Sequence, residues 1–446
     1  MNFVCGRALR PPRRPPMPKV KTKRIRRHPL RVCFCMGLWL AALLFARVDP
    51  AAADIVDDFW KTTRSGAAAI SLTEDNDAFV PGVNSDQEYT SGLRIQYTFL
   101  GRAYLLDESG QAHELEAGSD GTAVIIRHGK PVRIIAGKEE GLAVSEGGYL
   151  RFRLRQTPGE GNSQLQARLT NYGFAIGQEI YTPRNTRAYE PLPDERPYGG
   201  WLYFGAFVQT ATNEGAYYNI ELDIGCIGPC AMADRAQGVI HKYLVYSSVA
   251  QGWKNQVSNE PGAMLGMEAR KVLFEYPAAS EYEHRNVEIS YFAKGSLGNI
   301  FMDTSVGFSL RLGAFHTDFA SMGAPGRAAT RVANEGEERE QKRNWSLARS
   351  LNGGDDGGPK EMFLLVRLEG KMVLHNGLLQ GGMSSANEIH TVSPSRFLVD
   401  GEAGLVAHYN SLRILFSIRS RSTEFEKDQW SPTRHVYGRF QITFFH

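Results

Sequence analysis

Residues Leu93–Phe99 read LRIQYTF, with Leu93, Ile95, Tyr97 and Phe99 interleaved strictly with Arg94, Gln96 and Thr98. Period-two patterning of this kind sends one set of side chains to each face of a β-strand. Upstream stand two polar motifs, EDNDAF (Glu74–Phe79) and DQEYTSGLR (Asp86–Arg94), the second running into the alternation, and before them an apolar run, Ala67–Leu72. The whole reads as strand, polar loop, strand. A loop holding Glu74, Asp75, Asn76, Asp77, Asp86 and Glu88 suits an ordinary solvated turn, because Asn and Asp hydrogen-bond their own backbone. The same oxygens suit a hard cation such as Ca2+. The stretch lacks the glycine and glutamate spacing of an EF-hand, and these residues alone leave both readings open.

The alternation recurs along the chain. Ile220, Leu222 and Ile224 interleave with Asn219, Glu221 and Asp223, and Val306, Phe308, Leu310 and Leu312 with Ser305, Gly307, Ser309 and Arg311. The last stretch sets Val436, Phe440, Ile442 and Phe444 against Tyr437, Arg439, Gln441 and Thr443. Twelve strands are expected, near 67–73, 91–100, 170–181, 200–210, 217–225, 262–274, 284–293, 302–312, 362–373, 396–408, 411–421 and 435–445. A soluble sandwich also alternates. Strands of about ten residues, with a chain ending on aromatic Phe444 and Phe445, favour a transmembrane barrel. The expected fold is therefore all-β: an outer-membrane antiparallel β-barrel of about twelve strands, its arginines lining a polar interior, with an even strand number that returns both termini to the periplasmic side.

An export signal supports this placement. Residues 1–31 carry eleven Lys and Arg, Val32–Phe45 is almost purely apolar, and Ala51, Ala52 and Ala53 offer a cleavage site, so 1–53 reads as a signal peptide and 54–446 as the barrel domain. The apolar run is shorter than the roughly 20 residues of a spanning helix. The whole chain has 51 Lys and Arg against 48 Asp and Glu, but residues 1–53 hold 12 and 1 of these. The remainder carries 39 against 47, a formal charge of minus 8, which argues against a nucleic-acid-binding surface. Cys226 and Cys230 are the cysteines left after the signal, and in an exported protein they read as a small disulfide or as two thiols.

Two segments interrupt the barrel pattern. Residues 101–165 form an insertion with a possible hairpin, AVIIRHGKPVRIIAG, and a strand-like run, YLRFRLRQ; residues 316–360 end in a polar, low-complexity tract expected to be disordered. By strand parity both leave at the periplasmic end. The loops after the first, third and fifth strands share the opposite rim. They hold Asn76, Asp77 and Thr90; then Arg184–Gly200; then the GCIGPC turn, Gln237 and His241 within one expected helix, Met232–Tyr246, followed by GWKNQ. A neutral imidazole is a fitting general base. Beside a cation held by Asp77, His241 could activate water for ester hydrolysis while the metal stabilises the oxyanion, with Asn76 and Thr90 positioning the water or completing the oxyanion site. No G-x-S-x-G nucleophile motif occurs.

EDNDAF with YTSGLR, QEIYTP with RPYGGWLY, DIGCIGP followed by Q-x-x-x-H, GWKNQ, and RSTEFE with YGRFQITFF together resemble the outer-membrane lipid A 3'-O-deacylase family. The resemblance implies a twelve-stranded barrel and calcium-dependent removal of the 3'-linked acyloxyacyl chain of lipid A. It implies the roles of Asn76 and Asp77 as that family's Asn-Asp pair, Thr90 as its threonine and His241 as its histidine. Arg184 and Arg187 are the nearest matches to the basic residues that meet the lipid A phosphate. An acidic residue expected after the histidine falls at about Ser247 here, so one calcium ligand or histidine-orienting group is either missing or supplied by Glu74, Asp75 or Asp234. The implied partners are lipid A, or lipopolysaccharide, and outer-membrane lipid, with the protein a monomer in the outer membrane of a Gram-negative bacterium. A barrel that keeps this architecture without activity, and a phospholipase-like esterase on the same scaffold, are the rival readings.

Overall fold

The computed structural model describes residues 59–60, 62–63, 68–80, 88–99, 166–192, 194–212, 215–240, 250–276, 285–315, 361–383, 391–409, 412–426 and 435–445, and several short strands between 103 and 154. Twelve strands form the barrel: β1 (Ala68–Asn76), β2 (Glu88–Phe99), β3 (Gln166–Thr182), β4 (Gly199–Thr212), β5 (Ala216–Ile227), β6 (Glu260–Tyr276), β7 (Arg285–Gly298), β8 (Phe301–Phe315), β9 (Glu361–Asn376), β10 (Phe397–Tyr409), β11 (Leu412–Arg421) and β12 (His435–Phe445). Each pairs antiparallel with the next, and β12 returns to β1, with Ala69 opposite Phe445 and Asn76 opposite Gly438. Closure leaves no unpaired barrel edge, the condition for strands to cross a membrane.

Every expected strand has its counterpart, but the ends differ. Glu74, Asp75 and Asn76, read from sequence as loop, are the last residues of β1, and Glu88 opens β2. The period of two persists there; only the apolar residue at each second position is replaced by a polar one. The insertion follows the sequence reading in part. Ala123–Arg127 pairs with Lys130–Ile134 as the expected hairpin, and Tyr149–Leu154 pairs with Leu142–Ser145. The sheet reaches the insertion through Ala103–Leu106, which pairs with the first residues of β3, Leu106 opposite Gln166. This is the barrel end where β2 finishes, opposite Asn76. The expected signal peptide and the 316–360 tract lie outside the described residues.

Burial is inverted relative to a soluble protein. Ile70, Leu72, Leu93, Ile95, Ile176, Phe204, Leu222, Ile224, Val306, Phe308, Phe416 and Phe444 are exposed on the outer wall, while Ser71, Thr73, Asp75, Gln96, Ser305, Ser309, Arg311, Arg439 and Thr443 are buried within. No helix among the described residues is long and apolar enough to cross a membrane, and strands make the crossing. The interior is packed with paired charge. Arg439 grips Asp75 through Nε and Nη2, both at 2.6 Å, and Arg94 Nη2 meets Glu221 at 2.6 Å. Lys294 joins Glu369 at 2.6 Å, and the Arg311 Nε donates to Glu288 at 3.0 Å while its guanidinium lies 4.1 Å over the Phe315 ring. Buried charges are tolerated only when paired in this way.

At the rim near Asn76 the loops knit across the mouth. Arg196, in the segment after β3, donates from Nη1 to Glu424 at 2.8 Å and stacks 4.2 Å over Tyr181; Arg421 Nη1 meets the other Glu424 oxygen at 2.6 Å and also holds Asp400. Backbone bonds from Ser395 N to Glu424 O and from Glu426 N to Ser393 O tie in the segment before β10. Burial pushes the Glu424 carboxyl up, but Arg421 and Arg196 outweigh it and hold it at about 2, below the ordinary 4.5. A carboxyl lowered on folding stabilises at pH above its unfolded value, and that contribution is lost as pH falls through the folded value. Hydrogen exchange at the Ser395 and Glu426 amides should therefore stay slow from neutral pH down to about pH 3 in the native protein. In Glu424→Gln the same amides should exchange quickly already at neutral pH; unchanged protection would remove Glu424 from its role as the mouth latch.

Candidate active site on the outer wall

Register places the first motif on the membrane side of the barrel. Asn76 pairs with Ser91 and Glu74 with Leu93, and across β3 Ser91 pairs with Ile180 and Leu93 with Gln178. Continuing the alternation from exposed Ile70 and Leu72, Glu74 and Asn76 share the outward face, whereas Asp75 points in to Arg439. The outer wall at this rim thus carries a polar strip in otherwise apolar surroundings.

Thr90 sits where the β2–β3 register slips between Tyr89 and Ser91, a bulge that sets two residues against one. Bulges re-aim a side chain, and here the Thr90 hydroxyl lies 2.8 Å from that of Thr182 at the end of β3. Glu74 accepts from the Ser91 hydroxyl at 2.9 Å, and Asn76 Oδ1 accepts from Ala78 N at 2.9 Å. Asp77 follows as the first residue of a 3-10 turn, Asp77–Phe79, and is 2% exposed.

The chain between β5 and β6 folds back over this wall. Cys226 and Cys230 form a disulfide around the GCIGPC turn, settling the pairing that sequence left open. The turn leads through Pro229–Ala231 into α1 (Ala233–Ile240), which packs on β3 and β4. Gln178 Nε2 donates to Ala231 O at 2.6 Å. Gly200 lies beneath, where a Cβ would come within 2.5 Å of the Ala233 side chain, so only glycine admits the helix this close. The Gln237 side chain is buried and accepts from Trp253 Nε1 at 2.8 Å; Trp253 packs on Tyr198, ring centroids 4.8 Å apart. Gln251 N to Thr186 O and Val257 N to Tyr198 O join this segment to the one after β3. Burial pushes the Tyr198 hydroxyl up to about 12, keeping it protonated as the donor to Thr186 O.

Three distant segments therefore meet at one rim, as parity predicts. The expected helix is described only as far as Ile240, and His241 lies outside the described residues, as does Ser247. Arg184 and Arg187 are exposed in the segment after β3, while Arg196, its neighbour in sequence, is buried in the mouth. Of the acids that could replace the one missing at Ser247, Asp75 is engaged by Arg439 on the inner face and Asp234 is exposed in the first turn of α1. Glu74 alone of the three shares the outward face of β1 with Asn76 and is bonded to Ser91, the residue paired with Asn76 across the strands. Sequence reading did not single out Ser91, Gln178 or Thr182; continuing the alternation of β2 and β3 by two residues would have placed all three on the outer face.

Among the described residues no three His, Cys, Asp or Glu side chains converge as a metal cluster. The buried Asp77 carboxylate fits as one donor to Ca2+, which completes its shell with backbone and side-chain oxygens.

A closed ring of twelve strands, apolar without and charged within, with a polar strip on the lipid side of one rim, defines an outer-membrane β-barrel. The family model described as outer membrane protein LpxR matches residues 38–446, and the chain belongs to that family, the lipid A 3'-O-deacylases that its motifs resemble. The solved structure of LpxR from Salmonella typhimurium is 16% identical, with 85% of this chain and 100% of that one covered at a TM-score of 0.54, which bears out the barrel fold. The β domain of the Bordetella autotransporter BrkA aligns at 10% identity over 85% of this chain and 98% of its own, with a TM-score of 0.32. Among curated proteins none matches the chain.

Proposed function

We propose that this barrel is a calcium-dependent hydrolase that removes the 3'-linked acyl or acyloxyacyl chain of lipid A by ester hydrolysis. The observation that carries the reading is the polar strip itself: Asn76, Thr90 and buried Asp77 gathered beside the lipid-facing wall, with α1 leading to His241 packed over β3 and β4. Polar side chains on the lipid face of a barrel are costly and call for a function.

In this reading His241 takes a proton from water as its oxygen bonds to the acyl carbonyl carbon. The bond between that carbon and the sugar oxygen then breaks, and the proton passes to the departing hydroxyl. Asn76 donates to the developing oxyanion, and Thr90, held by Thr182, orients the water. Asp77 would hold Ca2+, which when bound adds Lewis-acid stabilisation of the same charge. Arg184 and Arg187, exposed at the rim, would meet the phosphate of the headgroup.

The test is the mass of lipid A from membranes carrying the protein, with calcium and with a chelator. Loss of one acyl or acyloxyacyl group with calcium alone is expected; unchanged lipid A under both conditions would leave a barrel without this activity. Phospholipid in the same membranes should remain intact, and its cleavage instead would make the protein a phospholipase-like esterase.

A further inference from the structure

β1 stops short of the mouth. Its last residue, Asn76, pairs with Ser91 of β2 and Gly438 of β12, but β2 begins nearer the mouth, at Glu88, and so does β12, at His435. Past Asn76 the chain leaves the wall in the 3-10 turn Asp77–Phe79. Gly438 makes room for that turn, since a Cβ there would come within 2.5 Å of the Phe79 side chain. The ends of β2 and β12 therefore face each other without β1 between them, at the level of Thr90. A backbone N–H turned into such a gap and shut off from water must find another acceptor.

The Tyr89 N–H finds its acceptor in a side chain: it donates to His435 Nδ1 at 3.4 Å. An accepting Nδ1 puts the ring proton on Nε2. Both residues are buried and point into the barrel. Their rings form one chain across the gap, His435 on Tyr437 with centroids 5.2 Å apart, Tyr437 on Tyr89 at 5.0 Å, and Tyr89 on Tyr181 of β3 at 5.1 Å. The Tyr89 hydroxyl donates to Asp75 Oδ2 at 3.3 Å, on the strand that carries Asn76. Tyr89 is thus held at its N–H, its ring and its hydroxyl, and it is the residue at which register with β3 slips. Thr90 is the bulged residue beside it. With Tyr89 fixed on one side and Ser91 paired to Asn76 on the other, the Thr90 hydroxyl is delivered to Thr182.

We infer that His435 is a positioning residue: it clasps β2 to β12 beyond the end of β1 and so sets the bulge that aims Thr90 at the ester. The inference rests on the proposed hydrolysis for its catalytic meaning, but the clasp itself is a property of the folded chain. His435 faces the lumen, away from the lipid side, so it acts through the Tyr89 backbone and not on the substrate. A group aimed in advance spares the reaction the cost of orienting it.

The full-length protein, folded in detergent with calcium, is assayed on lipid A as wild type, His435→Phe, His435→Asn, Thr90→Ala and the Thr90→Ala/His435→Phe double variant. Closure of each barrel is checked by its heat-dependent mobility on gels; should His435→Phe not close, His435→Leu takes its place. His435→Phe keeps a ring against Tyr437 but has no acceptor. It should lower kcat by roughly 10- to 100-fold with KM nearly unchanged, since misplacing a reacting group by about 1 Å costs up to about 100-fold. His435→Asn, whose side-chain oxygen stands near the place of Nδ1, should recover most of the rate. In the double variant the loss should match that of Thr90→Ala alone. An unchanged kcat in His435→Phe, multiplied losses in the double variant, or an Asn variant as poor as Phe would overturn the inference. A second readout needs no turnover. With tyrosine alone labelled by heavy nitrogen, the Tyr89 amide, identified by its absence in Tyr89→Phe, should exchange slowly with deuterated water in wild type and His435→Asn and much faster in His435→Phe. If wild type leaves lipid A intact while this pattern holds, the proposed hydrolysis falls and the clasp stands; without the pattern the clasp falls.

Discussion

Replacing His241 by alanine is expected to reduce release of the acyl chain by about 1,000-fold, while the barrel still closes and resists detergent until heated. A general base contributes roughly 10²- to 10⁴-fold. In the proposed reaction the imidazole handles the proton of water and makes no demand on how lipid A is held, so the loss should appear in kcat. Asp77→Ala should cost a similar factor. The double variant should fall little below either single one, since groups that act as a unit give strongly non-additive losses. The readout is the mass spectrum of lipid A after incubation with purified variants. If His241→Ala keeps a tenth or more of the wild-type rate, the proton is taken elsewhere, and the reading built on this histidine fails.

The second large effect concerns stability. Glu288 and Arg311 face each other across β7 and β8 and are 1% and 0% exposed at their side chains. Glu288→Leu leaves the Arg311 guanidinium buried beside the Phe315 and Phe363 rings with its carboxylate partner gone. Breaking such a pair costs about 3–5 kcal/mol, whereas replacing both partners by apolar groups of similar size is often close to neutral. Denaturant unfolding, followed by the shift between folded and unfolded mobility on gels, should show a large loss for Glu288→Leu. Most of it should return in Glu288→Leu/Arg311→Met. Equal losses in single and double variants would mean that the pair itself, and not the buried guanidinium's loss of Glu288, is what decides the stability of the interior.

How much of this was legible before the structure follows from which forces write patterns into a sequence. A strand between lipid and a polar interior must alternate, so LRIQYTF and its repeats located all twelve strands. Strand ends near the rim were less visible, because apolarity stops at Leu72 although the strand continues to Asn76. The inward turn of Asp75 and the outward turn of Glu74 and Asn76 were nevertheless implied by counting on in twos. Partners were not legible. Asp75 meets Arg439 and Arg196 meets Glu424 only through ring closure and loop packing across hundreds of residues. The bulge at Thr90 leaves no compositional mark either, yet it brings that hydroxyl to Thr182.

The filled interior has a further consequence. Arg439 and Arg311 pair with carboxylates on adjacent strands, Arg94 and Lys294 reach carboxylates on more distant ones and Arg196 latches the mouth, so the bore is lined with paired charge and offers an acyl chain no apolar path. Whatever reaches Asn76 and Ser91 must drift sideways along the wall. If the proposed hydrolysis holds, the barrel counts its substrate per unit of membrane area, and spreading the same quantity of lipid A through more inert lipid should slow it even when the concentration in the tube is unchanged.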